Sequence, residues 1–238
     1  MNEIITSTSN GKIKRYAKLL NKKYRDQENL FIVEGFHLVE EAKKANAIYE
    51  ILTSDHSYED ATYVSNEVIK KLSSTMTPQP IVAVCQKIEG ATLLNRTLAL
   101  NNVQDPGNLG TLIRSALAFG FDSILVQGVD IYNPKVIRSS QGAIFQIPIV
   151  QCESVLDHMD GYETIGAILD KEALIYNEVK PSDKFMLILG NEGNGIEKEV
   201  IDKLDKKVYI PINFESLNVA SAGAILMNEY KNINKTQD

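Results

Sequence analysis

Apolar positions set the pattern of the chain. Ile13, Tyr16, Ala17, Leu20 and Tyr24 recur at helical spacing, with Lys12, Lys14, Arg15, Lys18, Lys22 and Lys23 around them, which predicts an amphipathic helix with a basic outer face. LFIVEG, from Leu30, then reads as a short buried strand closed by Gly35, FHLVEEAKKAN as a helix and AIYEILTS as a second strand. TYVS, the helix SNEVIKKLSS and the strand PIVAVCQK continue the alternation, and the two prolines within 76–80 mark an exposed bend. From Thr97 the spacing tightens. LALNNVQ is a predicted strand and 106–119 a helix ended by Gly120; SILVQG, IFQIPIV, YETIGAIL, KFMLILG and KKVYIPI follow as strands, with helices between most of them. Their few polar interruptions predict burial on both faces, hence a mostly parallel sheet. Leu217, Ala220, Ser221, Ala224 and Ile225 line one face of a terminal helix, whose small residues would let another backbone approach closely.

The fold class is therefore α/β, in two domains: residues 1–92 and residues 96–238, joined through EGATLLNR. The length of 238 residues suits that division at roughly 100–200 residues per domain. No apolar run approaches the ~20 residues that span a bilayer, and the N-terminus lacks the layout of a signal peptide, so a cytoplasmic protein with no membrane partner is expected. Cys85 and Cys152 are isolated thiols in apolar surroundings, and His37, His56 and His158 are scattered, so neither a disulfide nor a metal site is expected. A net charge of −6 argues mildly against nucleic acid, but its distribution reverses that argument. In residues 1–25, Lys12, Lys14, Arg15, Lys18, Lys22, Lys23 and Arg25 face Glu3 alone, which leaves this segment at +6 and the remainder at −12. A local basic stripe is what phosphate senses, because screening removes charge beyond about 10 Å.

Three segments rich in glycine and asparagine sit where predicted strands run into turns, the place at which open α/β sheets bind ligands. In NNVQDPGNLGTLIRSALAFG, from Asn101, Arg114 lies among Leu112, Ile113, Ala116 and Leu117, an apolar setting in which a guanidinium needs a carboxylate or a phosphate. Asn108 precedes it by six residues, so the loop DPGN must fold back for the two side chains to meet; a structural salt bridge is the alternative for Arg114. In ILGNEGNG, from Ile188, Gly190, Gly193 and Gly195 permit positive φ and close approach of a ligand, but their spacing is not that of a dinucleotide or triphosphate loop. Glu192 at the loop tip would repel a pyrophosphate and can accept hydrogen bonds from hydroxyl or amino groups; a tight turn with an exposed glutamate is the plain alternative. In IPINFESLNVASAGAIL, from Ile210, Ser216 and Asn218 open a helix, where capping alone would account for them.

Jointly, N-x-G-x-x-x-R followed by A-x-A-F-G, then G-N-E-G-N-G, then I-P-I…S-L-N-V, in this order, resemble the three motifs of the SpoU (TrmH) branch of the SPOUT methyltransferases. SNGKIKRYAKLLNKKYRDQENLFIVEG is similar to the RNA-binding domain that precedes the catalytic domain in many members. The resemblance implies a catalytic domain with a deep trefoil knot, S-adenosylmethionine as cofactor, RNA as substrate (rRNA before tRNA), no metal, and a homodimer whose active sites draw on both subunits. By position it implies catalytic roles for Asn108, Arg114, Glu192, Ser216 and Asn218. It implies cofactor contacts at Leu189, Gly190, Asn191, Gly193, Gly195, Ile210, Pro211, Leu217 and Asn218, and a substrate contact at Arg138 beside the seven basic residues of the N-terminal segment. One departure stands out: between Pro211 and Ser216 the chain has only INFE, where the family has about two more residues including a glycine. That shortening keeps open a second reading, an RNA-binding protein that retains fold and cofactor without turnover. A third, an α/β enzyme of another nucleotide, requires the motif match to be accidental.

Overall fold

The computed structural model describes residues 4–170 and 172–231. The chain divides into two compact units, Met1–Glu89 with Tyr132–Phe145, and Gly90–Ile131 with Gln146–Asp238.

In the first unit the basic segment forms two short helices rather than one. Helix α1 (Gly11–Lys18) is capped by Asn10, whose Oδ1 accepts from the N–H groups of Lys12 and Ile13. Helix α2 (Lys22–Glu28) starts anew at Asn21, whose side chain accepts from the Lys23 N–H. The apolar stripe runs on through this break, so periodicity alone does not register it; the cap does. Strand β1 (Leu30–Glu34), α3 (Phe36–Lys44), β2 (Ile48–Thr53), β3 (Thr62–Tyr63), α4 (Asn66–Leu72) and β4 (Ile81–Gln86) follow. The sheet order is β1-β4-β2-β3, with β4 antiparallel to both neighbours and β2 parallel to β3. Ile13, Tyr16 and Leu19 share one buried cluster with Leu52, Val64, Ile69 and Leu72, which ties the helices to the sheet. Met76, in the proline-bounded bend, is 95% exposed.

The later elements are β5 (Arg96–Val103), α5 (Pro106–Ala118), β6 (Ser123–Gly128), α6 (Pro134–Ser140), β7 (Ile149–Cys152), β8 (Glu163–Ala167), β9 (Leu174–Ile175), β10 (Phe185–Leu189), α7 (Lys198–Ile201), β11 (Lys206–Tyr209) and α8 (Val219–Glu229). All but α6 belong to the second unit, whose sheet runs β7-β6-β5-β10-β8-β11-β9 with parallel pairing throughout. Leu98, Ala99, Leu100, Ile124, Leu125 and all of β10 are buried, as two-faced burial of a parallel sheet demands. IFQIPIV is not one strand: Ala143–Phe145 is a 3-10 turn and pairing begins only at Ile149. Pro148 cannot donate to the ladder; its carbonyl accepts from the Ile124 N–H instead. The two-residue β9 is too short to leave a periodic signal.

The segment Tyr132–Phe145, which carries α6, groups with the first unit although its sequence lies deep in the second. Ring contacts explain this: the Phe31 centroid lies 4.6 Å from that of Tyr132 and 6.1 Å from that of Phe145. The Tyr132 hydroxyl also accepts from the Ile88 N–H at 2.9 Å.

Helix α8 buries Ala220, Gly223, Leu226 and Met227, whereas Ser221 is exposed and Ala224 and Ile225 are half-buried. The small-residue face expected to admit another backbone is therefore the more exposed one, sharing only Ala220 with the face buried in this unit. The helix is apolar nearly all round, so periodicity cannot choose; close packing does. A Cβ on Gly223 would stand 2.5 Å from Leu112 Cδ2 and 2.8 Å from Leu189 Cδ1, so the glycine sets how closely α8 meets α5 and β10. Gly223→Val should overpack this contact and cost about 1–3 kcal/mol of stability. Thermal unfolding reads the change, and an unaltered Tm would contradict this packing.

Candidate active site

The loop after β10 is shaped by two glycines. A Cβ on Gly190 would fall 2.2 Å from the Gly195 carbonyl carbon and 2.2 Å from the Ile196 nitrogen, a backbone clash that no side-chain rotation relieves. Gly195 holds φ at +71°, in the left-handed region. Between them Asn191 and Gly195 exchange backbone hydrogen bonds of 2.8 and 2.9 Å, and Asn191 Oδ1 accepts from the N–H groups of Gly193 and Asn194. Gly193 differs from the expectation: its φ is not positive, and a Cβ there would meet nothing closer than 3.6 Å.

Glu192, at the loop tip, reaches the start of α5. Its carboxylate accepts from the N–H groups of Gln104 (3.0 Å) and Asp105 (3.1 Å) and from Asn108 Nδ2 (2.9 Å). Desolvation pushes this carboxyl upward, but the hydrogen bonds from Asn108, Gln104 and Asp105 outweigh it and hold the group below the usual carboxylate range. Glu192 thus already accepts three hydrogen bonds from within the protein while it lines the cavity described below. It anchors the positive end of α5, where Asp105 also caps through the Asn108 N–H at 2.9 Å. Asn108 Oδ1 in turn accepts from Asn218 Nδ2 at 3.0 Å, while Asn218 Oδ1 caps α8 through the N–H groups of Ala220 (2.9 Å) and Ser221 (3.3 Å). The capping alternative for Asn218 is therefore correct, and its amide does a second task with its other end. Side chains 84 and 110 positions from Asn108 are brought to one amide.

Beside this chain of bonds lies a cavity of about 720 Å³, beyond the carboxyl ends of β8, β10 and β11. Leu189, Gly190, Asn191, Glu192, Gly193, Gly195, Ile210, Ser216, Leu217 and Asn218 all line it; Pro211, Asn108 and Arg114 do not. Pro211 is exposed, since successive residues of an extended segment face opposite sides. Volume and lining suit a nucleoside-sized ligand: apolar walls from Leu189, Ile196, Val208 and Ile210, with peptide groups of the glycine loop as polar partners. Among the described residues no group of three or more His, Cys, Asp or Glu could hold a metal ion, and no helix is long and apolar enough to cross a membrane.

Arg114 is exposed rather than half-buried. Its apolar neighbours Leu112, Ile113 and Ala116 are buried, and a helix turns about 100° per residue, so a basic side chain between them faces outward. Among the described residues no hydrogen bond joins Arg114 to Asn108, and no carboxylate pairs with it.

The N-terminal cations fall into three sets. Arg25 is 3% exposed and its Nη1 donates to the Leu19 carbonyl at 2.7 Å, so its charge holds the turn between α1 and α2 rather than facing phosphate. Lys12, Arg15 and Lys22 pair with Glu50 (2.5 Å), Glu28 (2.5 Å) and Asp26 (2.7 Å). Hydrogen bonds from Lys22 and Lys87 hold the Asp26 carboxyl down at about 2. Lys14, Lys18 and Lys23 remain exposed, the last two over the Tyr24 ring at 5.2 and 6.0 Å. A charge count that stops at residue 25 misses Asp26, Glu28 and Glu50. Arg138 stands in the first unit, bonded to the Ser74 hydroxyl and 3.7 Å from Glu34 Oε1.

Four polar residues escaped sequence reasoning: Asn101, Asn102, Gln127 and Glu197 form a hydrogen-bonded group under the glycine loop. Asn101 stood inside the first motif segment; the sole signal for it was a polar side chain in an otherwise apolar strand.

The SpoU rRNA Methylase family model matches residues 95–228, and the MRM3-like substrate binding domain model matches residues 10–83. The 23S rRNA (guanosine(2553)-2'-O)-methyltransferase RlmP of Bacillus subtilis is 39% identical, over 94% of this chain and 97% of the relative. The AdoMet-bound rRNA methyltransferase of Sinorhizobium meliloti superimposes with a TM-score of 0.84 at 26% identity, covering 95% of this chain and 96% of that one. An RNA 2'-O ribose methyltransferase gives 0.82 at 29% identity, over 95% and 97%. The chain belongs to the SpoU rRNA methylase family.

The two glycines make a discriminating test. Gly190→Ala should not be accommodated and should yield a protein with lowered Tm or none that folds, whereas Gly193→Ala should match wild type within error in thermal unfolding. The reverse order would show that the loop is built differently.

Proposed function

We propose that this protein transfers the methyl group of S-adenosylmethionine to a ribose 2′-hydroxyl of structured RNA, with ribosomal RNA as the first substrate to examine. The observation that carries this reading is the convergence of the three motif loops on Asn108, through Glu192 and Asn218, at the rim of a cavity sized for a nucleoside. Full-length similarity to an rRNA 2′-O-methyltransferase and to an AdoMet-bound structure supports the choice of chemistry and cofactor.

The residues lining the cavity would hold the cofactor through the peptide groups of the glycine loop and the apolar walls of Leu189, Ile210 and Leu217. When bound, S-adenosylmethionine supplies a methyl group made electrophilic by its sulfonium. The protein must lower the barrier to proton loss from the ribose hydroxyl. A guanidinium carries N–H donors and no acceptor, so Arg114 is not the group that takes the hydroxyl proton. Its role is to stabilise the oxygen as negative charge develops there, while the proton passes to RNA phosphate or water. Asn108 and Glu192 fix the helix that carries Arg114, Asn218 ties that helix to the start of α8, and Ser216 lines the cavity.

The working unit is a homodimer in the cytoplasm. Support comes from the outward small-residue face of α8, from Leu169 and Phe214 at 74% and 78% exposure, and from an Arg114 that pairs with no carboxylate among the described residues. RNA would meet Lys14, Lys18, Lys23 and Arg138. The short third loop is the single observation favouring an inactive RNA-binding protein, and it leaves the bond between Asn218 and Asn108 in place.

The test is incubation with tritiated S-adenosylmethionine and total RNA from a strain lacking the protein, followed by mapping of alkali-resistant linkages. Labelled ribose is expected. Arg114→Ala should reduce the rate by about 10²–10³ with unchanged cofactor affinity. A wild-type protein that binds cofactor and RNA without labelling would support the inactive reading, and an Arg114 variant with normal turnover would remove that residue from catalysis.

A further inference from the structure

Resting on the methyltransferase reading, we infer that Glu197 is a positioning residue for the cofactor loop, holding it against a bulge in β5. The ladder between β5 and β6 shifts register between Asn101 and Val103, and Asn102 at the bulge adopts φ +59°, opposite Gly128 at φ +111°. This displaced residue grips the loop at both ends. Its carbonyl accepts from Asn191 Nδ2 at 2.9 Å near the loop's start, and its Nδ2 donates to Glu197 Oε1 at 2.7 Å just past the loop's end.

Below it, the buried amides of Asn101 and Gln127 complete the attachment. Asn101 Nδ2 donates to Glu197 Oε2 (2.7 Å) and to Gln127 Oε1 (3.0 Å), and Asn101 Oδ1 accepts from the Glu197 N–H (2.8 Å). Gln127 Oε1 also accepts from the Val155 N–H (2.9 Å), which leaves its Nε2 for Glu197 Oε2 (3.3 Å). Each amide therefore has one permitted orientation, and three side-chain donors from β5 and β6 converge on one carboxylate. Only an acceptor-only group satisfies all three. Between the two grips lie Glu192 to Ile196, all of which line the cavity.

Releasing the clamp would let the loop populate arrangements that do not bind the cofactor, and apparent affinity falls with the competent fraction. Glu197→Ala should weaken S-adenosylmethionine binding about ten- to a hundredfold by calorimetry and raise its KM accordingly. The rate constant at saturating cofactor and the affinity for RNA should stay near wild type. Glu197→Gln can keep an oxygen toward Asn101 and Gln127 and lose only the bond to Asn102. Its effect should therefore equal that of Asn102→Gly, which keeps the positive φ and removes only the amide, and the double variant should be no worse than either alone. An Ala variant with wild-type cofactor affinity, or Gln and Gly effects that add in full, would overturn the clamp. Should the Ala variant not fold, the comparison of Gln, Gly and double variant decides alone. A wild-type protein without affinity for S-adenosylmethionine would overturn the functional reading, and the clamp's role with it.

Discussion

The arrangement depends on one amide placed between a carboxylate and another amide. Glu192 is ionised and can only accept, so Asn108 must turn its Nδ2 toward it. That leaves Asn108 Oδ1 for Asn218, which must donate, and so Asn218 Oδ1 is left to cap α8. The direction of every bond in this chain follows from the charge at its head. Three loops that follow β5, β10 and β11 are thereby held in register, and each loop also opens a helix or meets the start of one. An array of this kind positions groups without needing movement at the moment of reaction, which is how electrostatic stabilisation acts most effectively.

The glycine loop serves the same end by a different means. Gly190 lets two backbone segments pass at a distance that excludes a Cβ, and the bulge at Asn102 supplies the residue that grips them. Gly223 instead makes room for side chains, Leu112 from α5 and Leu189 from β10, against the backbone of α8. The absence of a Cβ at these two points determines how closely the elements beside the cavity meet. Asn218, just past the third loop, is attached at both ends of its amide, to Asn108 and to the start of α8.

Much of this was legible in the sequence, for reasons tied to particular residues. Strands such as FMLIL are continuous apolar runs, and burial on both faces of a parallel sheet leaves no other pattern. The motif residues Glu192, Asn108 and Asn218 stood out as polar groups at strand ends. What sequence could not supply was their mutual contact, because nothing local to Asn108 specifies a partner 110 positions away. Arg114 was misjudged because apolar neighbours in sequence became buried neighbours on the opposite face of one helix. The basic stripe was overstated since Glu50 reaches Lys12 across 38 positions and Asp26 lies one residue past the segment counted. Helix α8 is apolar on two faces, and Gly223 settled the choice by fit rather than by hydrophobicity.

The central claim is that Glu192 and Asn218 act on one another through Asn108. A double-mutant cycle with Glu192→Gln and Asn218→Ala, read as the rate constant for methyl transfer to RNA at saturating cofactor, tests it most directly. Either change alone should free the Asn108 amide, so the second should cost less in the presence of the first, with a coupling of about 0.5–3 kcal/mol. Effects that add to within about 0.3 kcal/mol would contradict the claim and leave three independent loops around a shared cavity.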